Sequence, residues 1–220
     1  MTLTEHPDRE ALTLAVAQAI TEALGMGLKV RERAVLCLAG GSTPVPVFKA
    51  LAAARLDWNR VVVIPSDERW VPPDHARSNA RLIRRNLLDE GADAELVELY
   101  AEGLDPQAGA ALASERIAPL LPVSVLLLGM GEDMHTASLI PGAEGLAAAL
   151  ESSAPPVLPI LAASDPRVTL TVPALCSATE GFLMIAGPEK RAALERAAAL
   201  PVEQAPVRAL LKGLTVHYAD

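Results

Sequence analysis

The residues with the clearest chemical potential lie between Val123 and Gly142 (VSVLLLGMGEDMHTASLIPG). An unbroken apolar run, Val125–Leu128, is followed by a glycine-rich turn that contains Asp133 and His135. A free imidazole has a pKa near ~6.5 and can take a proton from water, and a neighbouring carboxylate can fix its orientation. We therefore predict a carboxylate–imidazole pair that acts as a general base. The alternatives are a structural histidine and a metal ligand, although no HxxxH pattern or cysteine pair supports a metal site.

A second turn, GGSTP at residues 40–44, has the features of an anion-binding site. Gly41 lets the backbone approach a ligand, and the hydroxyls of Ser42 and Thr43 can donate hydrogen bonds. With Thr43 as N-cap and Pro44 as the first helical residue, the N-terminus of a helix adds free N–H groups and partial positive charge. No Gly-Lys-Ser/Thr follows, so the turn is not a Walker motif, and the alternative is an ordinary capped turn.

Two further turns contain cations. Arg69 is suited to bidentate contact with an anionic group, and we expect Asp67 and Glu68 to hold its guanidinium in place. Lys190 lies in the first turn of the helix that follows Gly187–Pro188, where a cation opposes the helix dipole unless an anion is bound there too. A solvated ion pair and a solvated lysine are the alternatives.

The strands that precede these turns must position them. Buried strands are predicted at 34–39, 61–64, 125–128 and 181–186, and helices alternate with them. This alternation indicates a single-domain α/β fold over residues 1–220, with a mostly parallel, Rossmann-like open sheet and helices on both faces. The carboxyl ends of parallel strands lie at one edge of a sheet, so the four turns are expected to converge on one pocket.

The remaining elements show weaker patterns. Helices are predicted at 7–24, 43–54, 78–88, 105–121, 143–150 and 189–200, and Gly25 is the expected end of the first. Strands are predicted at 95–100, 167–172 and 214–218, and 157–161 is expected to pair only briefly.

Composition excludes several classes of function. The net charge is −8 and no basic run is present, so we expect no nucleic-acid partner. No apolar run approaches the roughly 18 residues of a membrane span, and the N-terminus lacks the layout of a signal peptide, so we expect a cytoplasmic protein without a membrane partner. Cys37 and Cys176 are interpreted as reduced core thiols. The chain is expected to be a monomer or a weak homodimer.

Taken together, these motifs resemble the signatures of the 6-phosphogluconolactonase family, within the glucosamine/galactosamine-6-phosphate isomerase superfamily. The matching segments span nearly the whole chain in the family's order: Gly40–Pro44, Asp67–Arg69 with Ser78-Asn79, Gly129–Gly142, Arg167–Thr171 and Gly187–Lys190. One departure is Met134, where the family usually has Gly; if that glycine has a positive φ, methionine adds strain.

The resemblance implies hydrolysis of 6-phospho-D-glucono-1,5-lactone to 6-phosphogluconate in the oxidative pentose phosphate pathway, without a cofactor or metal. It implies that His135 is the base and Asp133 its support. Arg69 and Lys190 are then expected to bind anionic ends of the substrate or the developing oxyanion. Ser42 and Thr43 are expected to line the sugar-phosphate site, with Gly41 and Asp67 also in contact with substrate.

Two alternatives share these loops. Amino-sugar-phosphate deaminase/isomerases resemble this chain at GGSTP but have an Asn-Glu after the histidine, which this chain lacks, since it reads His135-Thr136-Ala137-Ser138-Leu139. A catalytically inactive sugar-phosphate-binding regulator is the other alternative. The presence of His135 disfavours it.

Overall fold

The computed structural model describes residues 2–162 and 165–220, which form ten strands and seven α-helices. The strands are β1 Thr2–Glu5, β2 Ala34–Leu38, β3 Val61–Pro65, β4 Asp67–Arg69, β5 Glu95–Leu96, β6 Val125–Leu128, β7 Val157–Leu161, β8 Pro166–Leu170, β9 Glu180–Ala186 and β10 Thr215–Ala219. The helices are α1 Arg9–Val30, α2 Val45–Ala52, α3 Asn79–Ile83, α4 Pro106–Ile117, α5 Leu146–Leu150, α6 Val172–Cys176 and α7 Pro188–Ala197. A π-helical turn, Arg84–Leu88, extends α3.

The main sheet has seven strands in the order β1-β10-β9-β6-β2-β3-β5, and all neighbouring pairs are parallel. Its central strands β2, β3 and β6 are buried along their whole length. Such strands read as continuous apolar runs because both faces of a parallel sheet are covered. The predicted α/β fold with a mostly parallel sheet is confirmed.

Helices cover both faces of this sheet, as predicted. Alternate residues of β2 show the two layers: Leu36 and Leu38 pack into the core formed with α1, α2 and α3. Val35 and Cys37 face the opposite core, to which α4, α5, α6 and α7 contribute. The period-two alternation of side chains along a strand produces this division.

A second, three-stranded sheet, β4-β8-β7, is antiparallel and was not predicted as a sheet. The chain passes from one sheet to the other at Ser66, whose N–H donates to Leu38 in β2 and whose carbonyl accepts from Leu170 in β8. The pairing of β4 with β8 sets Arg69 opposite Arg167. This small sheet therefore brings two arginines together at the carboxyl end of β3.

Several predicted boundaries are wrong. Helix α1 continues through Gly25 to Val30, because Leu24 and Leu28 extend its buried face. A glycine costs about 1 kcal/mol in a helix, less than the roughly 1.5–3 kcal/mol from burying a leucine. Thr43 is not the N-cap of α2, which begins at Val45 with Pro44 in the cap position and no side-chain cap.

Other differences concern short elements. The strand predicted at 95–100 is only β5, Glu95–Leu96. The strand predicted to reach Val172 ends at Leu170, because Thr171 and Pro173 start helix α6. Strand β1 was missed: it is a largely exposed edge strand without an apolar run.

Two further expectations need correction. Cys37 is buried as predicted, but Cys176 is exposed at the end of α6, so it is not a core thiol. Helix α1 has the length and apolar composition of a membrane span, with a mean hydropathy of 1.4, contrary to the expectation that no segment approaches one. This is weak evidence for a span, because core helices meet the same criteria, and α1 packs Leu12, Val16 and Ile20 into the core.

Candidate active site

A cavity of about 260 Å³ lies at the carboxyl ends of the parallel strands and is lined by residues from all four predicted turns. Its lining includes Gly40, Gly41, Ser42, Thr43, Asp67, Arg69, Asn79, Gly129, Gly131, His135, Ala137, Arg167 and Lys190. The four turns come from distant parts of the chain and meet because β2, β3, β6 and β9 run parallel.

The pair of Asp133 and His135 has the predicted geometry. Nδ1 of His135 lies 2.5 Å from Oδ1 of Asp133, and the same oxygen accepts from the His135 backbone N–H at 3.2 Å. A carboxylate at Nδ1 favours the tautomer that donates from this nitrogen, which leaves Nε2 with a lone pair. The His135 side chain is 34% exposed and reaches the cavity, so Nε2 can accept a proton there.

The backbone around His135 adopts uncommon conformations. Met134 has a φ of 66° and Ala137 a φ of 49°. Both values lie in the left-handed region, which non-glycine residues rarely adopt and which costs roughly 1–2 kcal/mol. The loop tolerates them because Met134 is held at both ends: its N–H donates to Gly131 and its carbonyl accepts from Val207. Met134 therefore takes the positive φ that the family glycine suggested.

The GGSTP turn lines the opposite part of the cavity. Gly41 has a φ of 91°, so this position requires glycine. Gly40 lies against Asn79, since a Cβ at Gly40 would come within 2.0 Å of Asn79 Oδ1. Because Thr43 does not cap α2, its hydroxyl is not committed to the helix. Ser42 and Thr43 both line the cavity, and their predicted contact with a ligand stays a prediction.

Three cations surround the cavity: Arg69, Arg167 and Lys190. Within the part of the chain that the structure describes, the Nε atoms of Arg69 and Arg167 are buried without a hydrogen-bond partner. A buried donor without a partner is costly, and an anionic ligand would satisfy it. Lys190 donates from Nζ to the Met130 carbonyl at 2.5 Å, which places its ammonium beside the loop of His135.

Asp67 and Glu68 do not hold the guanidinium of Arg69, contrary to prediction, although Glu68 accepts from the Arg69 backbone N–H at 2.9 Å. Glu68 is buried and accepts from the N–H groups of Asn79 and Ala80 and from the Ser78 hydroxyl, so it caps helix α3 instead. Burial raises the pKa of the Glu68 carboxyl above its ordinary value, although these hydrogen bonds oppose the shift. The guanidinium of Arg69 instead donates to the Arg77 carbonyl at 2.8 Å.

Asp67 lines the cavity but is 5% exposed, and its carboxylate accepts from three side chains: Ser66, Asn79 and Ser138. Its negative charge disfavours a phosphate contact, whereas a sugar hydroxyl could still donate to it. Its predicted contact with substrate stays a prediction.

The sequence interpretation missed Arg167 and Asn79 as cavity residues, although both stand in the segments that resemble the family. Arg167 follows a proline in an alternating strand, where an arginine is ordinary, and only the pairing of β4 with β8 brings it beside Arg69. Among residues 2–162 and 165–220, no three or more His, Cys, Asp or Glu side chains are grouped as a metal ion requires.

Comparison with known proteins agrees with the geometry. The profile of the family described as "Glucosamine-6-phosphate isomerases/6-phosphogluconolactonase" matches residues 7–217. A Pseudomonas aeruginosa protein named 6-phosphogluconolactonase is 41% identical over 210 residues, covering 92% of this chain and 88% of that protein. The Pseudomonas putida protein of the same name is 40% identical over 212 residues, covering 94% and 88%.

The solved structures give the same result. The crystal structure of a 6-phosphogluconolactonase from Shewanella baltica matches with a TM-score of 0.95 at 30% identity, covering 100% of this chain and 98% of that chain. The resemblance seen in the four turns thus extends to the whole fold, and this chain belongs to the glucosamine-6-phosphate isomerase/6-phosphogluconolactonase family.

Proposed function

We propose that this protein hydrolyses 6-phospho-D-glucono-1,5-lactone to 6-phosphogluconate in the oxidative pentose phosphate pathway. The main support is that the Asp133–His135 pair opens into the same cavity as Arg69, Arg167 and Lys190. A base beside a group of cations suits an ester that also has a phosphate. The names of the relatives support the same substrate.

His135 is the proposed general base. Its Nε2 takes a proton from a water molecule as the water oxygen bonds to the lactone carbonyl carbon. Asp133 holds the ring through Nδ1 and stabilises the imidazolium that forms. When the tetrahedral intermediate breaks its bond to the ring oxygen, the imidazolium returns the proton to that oxygen. The product is an open-chain carboxylic acid, which ionises to the carboxylate by releasing its proton to solvent, and no covalent bond to the protein is needed.

The three cations stabilise negative charge in two places. The substrate has a phosphate at one end, and the carbonyl oxygen gains charge as water attacks. Arg69 and Arg167, with buried Nε donors, and Lys190, beside the His135 loop, supply positive charge for both groups. The local cations are necessary because the net charge of the chain is −8 and repels an anionic substrate.

Ser42 and Thr43 complete the proposed site by donating hydroxyl hydrogen bonds to the sugar phosphate, next to backbone N–H groups at the positive-φ Gly41. A lactone is already an activated ester, so a positioned water, a base and oxyanion support suffice for its hydrolysis. The cytoplasmic location and the monomer or weak homodimer expected from the sequence belong to this proposal.

Lactone hydrolysis by the wild-type protein and His135→Ala tests the proposal. The acid released is followed with a pH indicator and corrected for spontaneous hydrolysis. We expect kcat to fall about 10²-fold or more, the usual cost of losing a general base. His75→Ala is the matched control, because His75 is exposed and does not line the cavity. Equal rates for wild type and His135→Ala would remove His135 from the mechanism.

A further inference from the structure

We propose that Ser138 is a positioning residue, which holds the His135 loop in place by donating a hydrogen bond to Asp67. This inference rests on the proposed function, since it concerns the placement of the proposed base. Ser138 does not line the cavity, so any effect on the reaction passes through other residues.

The hydrogen bond between Ser138 and Asp67 is short and buried. The Ser138 hydroxyl lies 2.5 Å from Asp67 Oδ2, and the two residues are 0% and 5% exposed. Hydroxyl–carboxylate hydrogen bonds of about 2.5–2.7 Å are charge-assisted and stronger than neutral ones. The Ser138 backbone N–H also donates to the hydroxyl of Thr169, a buried residue of β8, at 3.2 Å. Ser138 therefore joins the His135 loop to two of the three strands of the small sheet, β4 and β8.

Asp67 continues this connection to the opposite wall of the cavity. Its backbone carbonyl accepts from Asn79 Nδ2 at 2.8 Å, and its Oδ1 accepts from the same amide at 3.3 Å. Asn79 in turn lies against Gly40 at the start of the anion-binding turn. We call Asn79, Asp67 and Ser138 the polar chain. It links the proposed phosphate-binding turn to the proposed base through buried side chains.

The position of this contact in the loop explains why it matters. His135 stands between Met134 and Ala137, both with positive φ, so its local backbone is held in a conformation that it would not adopt alone. Ser138 is the next residue after Ala137 and the first whose side chain is fixed by a charge from another strand. Without this anchor, the loop can relax and move the imidazole away from its productive position.

A double-mutant cycle distinguishes positioning from a general structural role. Ser138→Ala, His135→Ala and the double variant are measured for kcat, KM and unfolding. We expect Ser138→Ala to lower kcat about 10- to 100-fold, the scale of a small misplacement of a catalytic group, with KM changed much less. In the His135→Ala background, the same substitution should change kcat by less than about 3-fold, because residues that act as a unit are non-additive.

Ser124→Ala is the matched control. Ser124 is also buried, and its hydroxyl accepts from Val35 N–H at 3.0 Å, but it precedes β6 at the end opposite the cavity. The kcat of Ser124→Ala should stay at the wild-type value even if the substitution lowers the free energy of unfolding. Should Ser138→Ala fail to fold, Ser138→Cys, which keeps a hydrogen-bond donor but a weaker one, replaces it in the cycle.

The outcomes separate the two proposals. A wild-type kcat in Ser138→Ala, or an equal fall in kcat in both backgrounds, overturns the positioning role of Ser138 while His135 stays the base. A wild-type kcat in His135→Ala removes His135 as the base and the positioning role with it, whereas a wild-type protein that does not hydrolyse the lactone overturns the proposed function itself. The positioning role is supported if Ser138→Ala greatly lowers kcat in the otherwise wild-type protein but changes kcat little in the His135→Ala background.

Discussion

The imidazole of His135 lies directly against the backbone of Gly131. A methyl group on Gly131 would lie 2.3 Å from His135 Nδ1 and 2.4 Å from Asp133 Oδ1. The Gly131 N–H also donates to the His135 carbonyl at 3.0 Å, so the glycine holds the loop that it touches. Space for the carboxylate–imidazole pair, rather than an unusual φ, is the reason for glycine at this position.

Gly131→Ala should therefore displace the pair and lower activity. We expect kcat to fall about 10²-fold, as a misplaced catalytic group implies, while the protein stays folded. Gly27→Ala in α1 is the control, because a Cβ there meets nothing within 4 Å and Gly27 does not line the cavity. Steady-state lactone hydrolysis and thermal unfolding of both variants check this. Similar kcat values in the two variants would contradict the steric role of Gly131.

The central strands could be predicted from the sequence because burial on both faces leaves an unbroken apolar run. Strand β1, by contrast, is a largely exposed edge, and β4 has only three residues, so neither has such a run. The antiparallel sheet follows from a change of direction at Ser66, which depends on hydrogen bonds to residues far along the chain. Local patterns do not contain that information.

In the candidate site, too, local sequence patterns predict some contacts but not those that depend on distant parts of the chain. Asp133 and His135 are two residues apart, so their pairing could be predicted from spacing within one loop. The surroundings of Arg69 could not, because they depend on Arg167 in another strand and on Arg77. Glu68 was expected to hold the Arg69 guanidinium, but it accepts from the first N–H groups of α3 and from the Arg69 backbone N–H. Tertiary pairing decides such partners.

Lys190→Ala should weaken the binding of 6-phosphogluconate. The lysine ammonium lies beside Met130 at the edge of the cavity, and a hydrogen bond from a charged group is worth about 1.5–3 kcal/mol. The dissociation constant is therefore expected to rise about 10-fold or more. Isothermal titration calorimetry measures this, with Lys212→Ala as the control, because Lys212 is exposed outside the cavity. An unchanged affinity in Lys190→Ala would place the phosphate elsewhere.

The two cysteines should differ in reactivity. Cys37 is buried in β2, where burial and the nearby Asp67 carboxylate raise the pKa of its thiol far above the ordinary value. Cys176 is exposed, although partial burial also raises its pKa. The thiolate is the reactive form, so the native protein should react with a thiol reagent at Cys176 first, and faster as the pH rises. Cys176→Ser should lose this reaction until denaturant is added; rapid native labelling of that variant would contradict the burial of Cys37.

Stability should decrease in mild acid through His217. Burial, and then the neighbouring His6, lower the pKa of His217, whose ring stacks on His6 at 5.2 Å between β1 and β10. Because this pKa is lower in the folded protein, the unfolded chain binds more protons as the pH falls, and the free energy of unfolding decreases. The loss begins near the ordinary histidine pKa of ~6.5 and grows until the pH reaches the lower pKa of the folded protein.

Urea unfolding of the wild type and His217→Phe, at about pH 7.5 and about pH 5.5, measures this contribution. The phenyl ring keeps the stacked contact with His6 and the edge contact with Phe182. It cannot bind a proton, and it loses the 3.0 Å hydrogen bond between His217 Nδ1 and His6 Nε2. The difference in unfolding free energy between the two pH values should be smaller in the variant. An equal difference in both proteins would assign the acid sensitivity to other groups.

Comparing the stability of Met134→Gly with that of Met134→Ala distinguishes the backbone strain at Met134 from the packing of its side chain. Both variants lose the half-buried methionine side chain, which packs against the core that contains Leu139. Only glycine also relieves the φ of 66°, since the left-handed conformation costs a residue with a Cβ roughly 1–2 kcal/mol. Met134→Gly should therefore be about 1 kcal/mol more stable than Met134→Ala, the reverse of the usual order of glycine and alanine. Chemical unfolding of both variants measures the difference, and an alanine variant of equal or greater stability would show that the loop changes its backbone to avoid the strain.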